Sequence, residues 1–172
     1  KAIRRQRQMC IRDSWLRSDS MAEGYWRDGQ TVPIADADGW FATRDRGQLE
    51  HGRLTILGRV DNLFFSGGEG IQPEEVERVI GAHPLIGQVF IVPQDDAEFG
   101  QRPVAVVECS AHCEPSELAG WCADKLARFQ QPVRWLRLPE SLKTGGIKIS
   151  RRALRDWVNQ QESSASEALD VQ

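Results

Sequence analysis

Gly58-Arg59-Val60-Asp61-Asn62-Leu63-Phe64-Phe65-Ser66-Gly67-Gly68-Glu69-Gly70-Ile71-Gln72-Pro73-Glu74-Glu75-Val76-Glu77 changes its pattern twice over a short length. Leu63 to Phe65 is apolar, aromatic and too brief for a helix, which predicts a short strand. The run Ser66-Gly67-Gly68-Glu69-Gly70 lacks side-chain bulk, so backbone there is able to approach a ligand closely or to end a hairpin. Pro73 then takes a first helical position, and Glu74 and Glu75 stand in the first turn where the helix dipole favours them. Val76, Val79 and Ile80 fall on one face, and His83-Pro84 ends the helix.

Downstream, strand and helix alternate. Val89 to Val92 and Val104 to Glu108 read as strands on either side of a loop from Gln94 to Arg102. A helix from Pro115 carries Leu118, Trp121, Cys122 and Leu126 at helical spacing, and Val133 to Leu138 reads as another strand. Ser150 caps a last helix whose Leu154 is placed to staple back onto Ile149. Residues 61–160 therefore predict a small α+β lid domain, an antiparallel or mixed sheet with helices. Residues 161–172, rich in Ser, Glu and Gln, predict a disordered tail.

Upstream, residues 15–60 are punctuated by Gly24, Gly29, Pro33, Asp36, Asp38, Gly39, Gly47 and Gly52. This spacing predicts short strands and turns, with a hairpin at Glu50-His51-Gly52-Arg53. Such strands need sheet partners that the chain does not supply, which marks them as a β-rich remnant of a larger domain. Residues 1–14 have no usable apolar period. The run RQRQMCIRDS resembles translated sequencing-adapter read-through, so this leader is treated as non-native and set aside from the fold argument.

Composition excludes several classes. The formal net charge of −3 gives no basic field for nucleic acid or an anionic membrane. No apolar run reaches the roughly 18 residues of a membrane-spanning helix, and a cytoplasmic protein is the default expectation. Cys109, His112 and Cys113 suggest metal ligands, but a zinc site needs four and no second pair exists. Reduced thiols are expected for a cytoplasmic protein, and no metal site is expected in the chain.

Taken singly, the chemistry-bearing motifs are modest. Asp45 closes an aromatic strand, Gly39 to Asp45, and a carboxylate there suits a ribose diol, although Asp at a strand end is commonly a turn former. Arg59 is placed to bond ribose oxygens or offset phosphate charge. The run from Lys143 to Ser150 sets two lysines on a glycine-hinged loop before a capped helix, and a lysine there is able to carry charge to a reacting carboxylate and phosphate. No phosphate-binding loop of the Gly-x-x-x-x-Gly-Lys-Ser/Thr form is present.

Their order is more specific. GWFATRD at 39–45, GRVDNLFFSGGEGIQPEEVE at 58–77 and KTGGIKISR at 143–151 resemble the closing motifs of the acyl-adenylate-forming (AMP-binding) superfamily. The resemblance spans about Trp15 to Gln160. It implies an ATP-dependent ligase joining a carboxylic acid to coenzyme A, with Mg²⁺, of which this chain is the C-terminal part and whose N-terminal domain is missing. By the same resemblance, Asp45 holds the ribose hydroxyls with Arg59 assisting, and Asp61 is the hinge between large domain and lid. Lys148 is the adenylation lysine, and Gly67, Gly68 and Glu69 line the pantetheine channel. Two departures stand out: the superfamily pattern has Thr-Gly-Asp where this chain has Thr43-Arg44-Asp45, and Gly-Lys where it has Gly146-Ile147-Lys148. The second leaves Lys143 as a competitor for the role of Lys148. Other acyl- or aryl-CoA synthetases, adenylation-domain lids, and a non-catalytic or inactive binding fragment are the alternatives.

Overall fold

A computed structural model describes residues 12–143 and 149–161. The chain divides into two compact units, one running to Asn62 and the other starting at Leu63. The chain as a whole is mixed α+β, and the α-helices among the described residues all stand in the second unit.

In the first unit β1 (Arg12–Leu16), β4 (Phe41–Glu50) and β5 (Arg53–Arg59) form an antiparallel sheet in the order β1-β4-β5. The hairpin read at Glu50 to Arg53 joins β4 to β5, with Leu49 facing Leu54 and Glu50 facing Arg53. A separate hairpin pairs β2 (Gly24–Arg27) with β3 (Gln30–Pro33). Pairing of β1 takes in Asp13 opposite Arg46, so the ladder reaches into the leader that the sequence reading had set aside. Among the described residues this unit buries no hydrophobic side chain. Trp15, Tyr25, Trp26, Val32, Leu54 and Ile56 are all exposed, Trp26 to 74%.

The second unit has a real core. The hairpin of β6 (Phe64–Ser66) and β7 (Glu69–Ile71) leads into α1 (Pro73–Gly81). Pro73 opens that helix, and Val76 and Ile80 are buried, because residues four apart share one helix face. A three-stranded sheet follows in the order β10-β9-β8, built of β8 (Ile86–Asp96), β9 (Gly100–Cys109) and β10 (Arg134–Arg137). β8 pairs antiparallel with β9, whereas β10 is parallel to it, the crossover carrying α2 (Pro115–Ala123). The central strand β9 is buried on both faces, and the period of two sorts its side chains. Ala105 and Val107 join Val76, Ile80, Leu118 and Cys122 on one side. Val104 and Val106 join Leu136, Leu154 and Val158 on the other, where α3 (Arg151–Gln160) packs. Burying a valine or leucine side chain fully is worth roughly 1.5 to 3 kcal/mol, so these two layers supply the drive to fold.

Three sequence expectations change in detail. The loop expected from Gln94 to Arg102 shrinks to a tight turn, since β8 and β9 pair out to Asp96 opposite Gly100. Asp96 Oδ1 accepts from the backbone N–H groups of Glu98 at 2.9 Å and Phe99 at 2.8 Å, which closes the turn. Backbone pairing thus continues past the point where apolar alternation stops. Helix α2 ends at Ala123, short of Leu126, although Leu126 still joins the core. Finally, Cys109 and Cys113 are joined as a disulfide rather than standing as reduced thiols, because the Ser110-Ala111-His112 turn folds Cys113 back against the end of β9. Cys122 is free and buried, and that burial pushes its thiol pKa up. Ser150 caps α3 as read, its Oγ accepting from Ala153 N–H at 3.3 Å. The tail beyond Gln161 lies outside the described residues.

Candidate functional site

The segment Thr43-Arg44-Asp45 is a bulge. Between the pairs Asp13–Arg46 and Trp15–Ala42, β4 sets this three-residue segment opposite the single residue Ser14 of β1. Bulges re-aim side chains next to sites. Thr43 fixes the local bend: its Oγ1 donates to Ser14 O at 3.2 Å and accepts from Asp45 N–H at 3.0 Å. Arg44 sits in the left-handed region with φ 61°. That conformation costs a non-glycine residue on the order of 1 kcal/mol, and it is the position where the superfamily pattern has glycine.

The bulge aims Asp45 at Arg59, its cross-strand partner in the β4–β5 register. Arg59 Nη1 lies 3.3 Å from Asp45 Oδ1 and also reaches Thr43 O at 3.4 Å. Its second nitrogen, Nη2, donates to Asp61 Oδ2 at 3.0 Å. The other oxygen of Asp61 is held by Arg44, through Nε at 2.7 Å and Nη2 at 2.6 Å. Asp61 itself occupies the short 3-10 turn Val60–Asn62 that follows β5. Two guanidinium groups and two carboxylates thus alternate in one chain of bonds, Arg44–Asp61–Arg59–Asp45. The hydrogen bond from Arg44 and then that from Arg59 hold the Asp61 carboxyl below its ordinary value of 3.8. All four side chains keep substantial exposure, between 34% and 61%, so the pairs add little to stability. What they do is hold geometry: a carboxylate of fixed direction beside a guanidinium is a place for a vicinal diol next to an anion.

The other residues read from the sequence stand in the second unit or outside the described residues. Gly67 and Gly68 form the two-residue turn between β6 and β7, both with positive φ, 58° and 87°, which glycine adopts without cost. Gly67 N–H donates to Phe99 O at 2.9 Å, and a Cβ on Gly67 would come within 3.1 Å of the Phe99 ring. Glu69 starts β7 and is exposed. Lys148 lies outside the described residues. Its competitor does not: Lys143 Nζ bonds Glu108 Oε1 at 2.7 Å and Glu140 Oε1 at 2.6 Å. Those two carboxylates, Glu108 first, raise the Lys143 pKa and commit its charge within the lid.

Sequence reasoning missed two features. Arg44 was read only as a departure from pattern; an arginine at a glycine position was itself the signal that a charge had been placed there. Arg151 was not singled out. It clamps the start of α3 to α1 by a two-pronged pair with Glu77, Nη1 to Oε1 at 2.7 Å and Nη2 to Oε2 at 2.6 Å. Burial opposes its charge, and Glu77 and then Glu74 more than offset that. Among the described residues no group of three or more His, Cys, Asp or Glu is placed to hold a metal ion, and no helix is long and apolar enough to cross a membrane.

The family model for the AMP-binding enzyme C-terminal domain matches residues 75–148. The chain is 71% identical over 144 residues to a 2-succinylbenzoate–CoA ligase of Salmonella typhimurium, covering 84% of this chain and 32% of that protein. It superposes with TM-score 0.83 and 60% identity on an arginine-to-lysine variant of Escherichia coli MenE with OSB-AMS bound, covering 94% of this chain and 34% of that one. Against the Bacillus subtilis o-succinylbenzoate CoA synthetase in complex with the acyl-adenylate intermediate OSB-AMP, the TM-score is 0.73 at 26% identity, over 88% of this chain and 31% of that chain. The chain spans about a third of the length of the curated relatives it matches. On the matched domain, the identity and the fold together, residues 75–148 are those of an AMP-binding enzyme C-terminal domain, and the chain is similar to the C-terminal part of 2-succinylbenzoate–CoA ligases.

Proposed function

We propose that the chain is the C-terminal part of an o-succinylbenzoate–CoA ligase, which converts o-succinylbenzoate, ATP and coenzyme A to o-succinylbenzoyl-CoA, AMP and pyrophosphate. The observation that carries this reading is the 71% identity to a 2-succinylbenzoate–CoA ligase across 84% of the chain.

In the first half-reaction a carboxylate oxygen of the acid attacks the α-phosphorus of ATP and pyrophosphate leaves. Asp45 accepts hydrogen bonds from the ribose hydroxyls of ATP and then of the acyl-adenylate, with Arg59 beside it. Lys148 bridges the acid carboxylate and the α-phosphate as charge accumulates there. At an effective dielectric near 20, one charge pair at 4 Å is worth about 4 kcal/mol, enough for a large rate effect if it is made mainly in the transition state. Commitment of Lys143 to Glu108 and Glu140 favours Lys148 for this role. Mg²⁺ would come with ATP as part of that substrate and would offset the phosphate charge, and no group of residues placed to hold it stands among the described residues.

In the second half-reaction the lid turns about Asp61, withdraws Lys148 and brings the Gly67-Gly68-Glu69 turn beside the pantetheine thiol. The thiol sulfur attacks the acyl carbon and AMP leaves, giving the thioester. The double-glycine turn suits that role because it carries no side chain to obstruct a narrow ligand. One lid thus serves both steps. The test is acid-dependent pyrophosphate release by the complete enzyme. o-Succinylbenzoate is expected to support it far better than benzoate or a fatty acid; an equal or better rate with one of those would replace this substrate assignment with the wider acyl- or aryl-CoA synthetase reading.

A further inference from the structure

We propose that Arg44 is a positioning residue of the nucleotide site, neutralising Asp61 so that Arg59 stays directed at Asp45. This rests on the reading of Asp45 as the ribose carboxylate.

The bond pattern carries the argument. Arg59 is forked between two carboxylates, with Nη1 3.3 Å from Asp45 Oδ1 and Nη2 3.0 Å from Asp61 Oδ2. The nearer partner is Asp61, so Asp61 competes with Asp45 for the one guanidinium they share. Arg44 supplies Asp61 with two further donors at 2.7 Å and 2.6 Å on its other oxygen. With Arg44 present, two cations meet two anions and the cluster is neutral. Without it, one guanidinium faces two carboxylates, and the cluster carries a net negative charge where a polyphosphate has to approach. Two effects follow in the same direction. Arg59 is drawn towards Asp61 and away from Asp45, and the uncompensated charge repels the nucleotide.

The backbone argues that this placement is selected for a purpose. Arg44 holds a left-handed conformation, φ 61°, where glycine is easiest. Because the pairs are well exposed, the arginine does not recover that cost as stability. A strained residue that adds no stability but closes a charge cluster beside a ligand-binding carboxylate fits a role in the site.

Arg44→Gly is the natural test, since glycine relaxes the backbone and folding should be preserved. Two readouts are needed. In the complete enzyme, the Asp61 carboxyl followed by carbon-detected NMR should titrate at higher pH in Arg44→Gly than in wild type. In the same enzyme, Arg44→Gly should raise the KM for ATP about threefold, the size of a lost exposed charge pair, while the KM for coenzyme A is unchanged. Arg44→Lys, which keeps the charge, should recover most of the ATP affinity. An Asp61 titration that Arg44→Gly leaves in place overturns the proposal whatever happens to ATP, and so does an unchanged KM. Asp45→Ala separates the two levels: if it does not weaken ATP binding, the nucleotide reading fails and the role of Arg44 towards it fails too, while the Arg44→Gly shift at Asp61 would survive as a local fact.

Discussion

Asp45 and Arg59 stand directly opposite each other in the β4–β5 ladder, and the guanidinium of one lies 3.3 Å from the carboxylate of the other. Fourteen residues apart in sequence, they are made neighbours by the hairpin at His51-Gly52. If Asp45 receives the ribose hydroxyls, its loss removes hydrogen bonds to a charged acceptor. Asp45→Ala in the complete enzyme is expected to raise the KM for ATP about tenfold or more and to leave the KM for coenzyme A unchanged. Steady-state kinetics with each substrate varied in turn checks this.

Acid should loosen the same cluster. Asp61 is held below its ordinary value of 3.8, chiefly by the Arg44 hydrogen bond. A depressed carboxyl contributes its stability above the unfolded value and loses it as pH falls through the folded one. Any difference in unfolding midpoint between wild type and Asp61→Asn should therefore be present at about pH 6 and vanish towards about pH 2. Thermal melts across that range measure it.

The Arg151–Glu77 clamp is of a different kind, because Glu77 is only 14% exposed and Arg151 28%. Removing one partner strands a largely buried charge. Glu77 Oε1 also accepts from Ile91 N–H at 2.7 Å, so the loss reaches β8. Arg151→Ala should cost the lid about 3 kcal/mol, read as a lower urea midpoint with an unchanged slope.

The isolated 172-residue chain should show no acid-dependent ATP–pyrophosphate exchange. One ribose contact and one lysine do not hold ATP and an acid together in attack geometry, and the first unit buries no hydrophobic side chain among the described residues. Measured exchange above background would oppose this account.

Much of the fold was legible in local signals. Pro73, Glu74 and Glu75 mark the start of α1, Ser150 caps α3, and runs of β-branched residues mark β8 and β9, because caps and periodicity act over a few residues. The ends of those strands were not legible. Gln94, Asp95, Gln101 and Arg102 are polar and pair only because the Asp96 turn brings them together. The Cys109–Cys113 disulfide was misread because an argument from cellular compartment outweighed a spacing that only the turn at Ser110 to His112 makes productive. At the site, the order of motifs pointed to Asp45, Arg59 and Asp61, and the structure brings these three together. Arg44 was seen but not understood, since its use depends on a left-handed bulge and on a partner seventeen residues away. Such pairings arise from tertiary geometry and leave no local pattern.

The central claim is that a positive charge on Lys148 serves acyl-adenylate formation and is withdrawn for thioester formation. Assaying the two half-reactions separately in the complete Lys148→Ala enzyme tests it most directly. The account predicts that adenylation falls roughly a hundredfold or more while thioester formation from supplied acyl-adenylate keeps its wild-type rate. An equal loss in both steps, or none in the first, would contradict it.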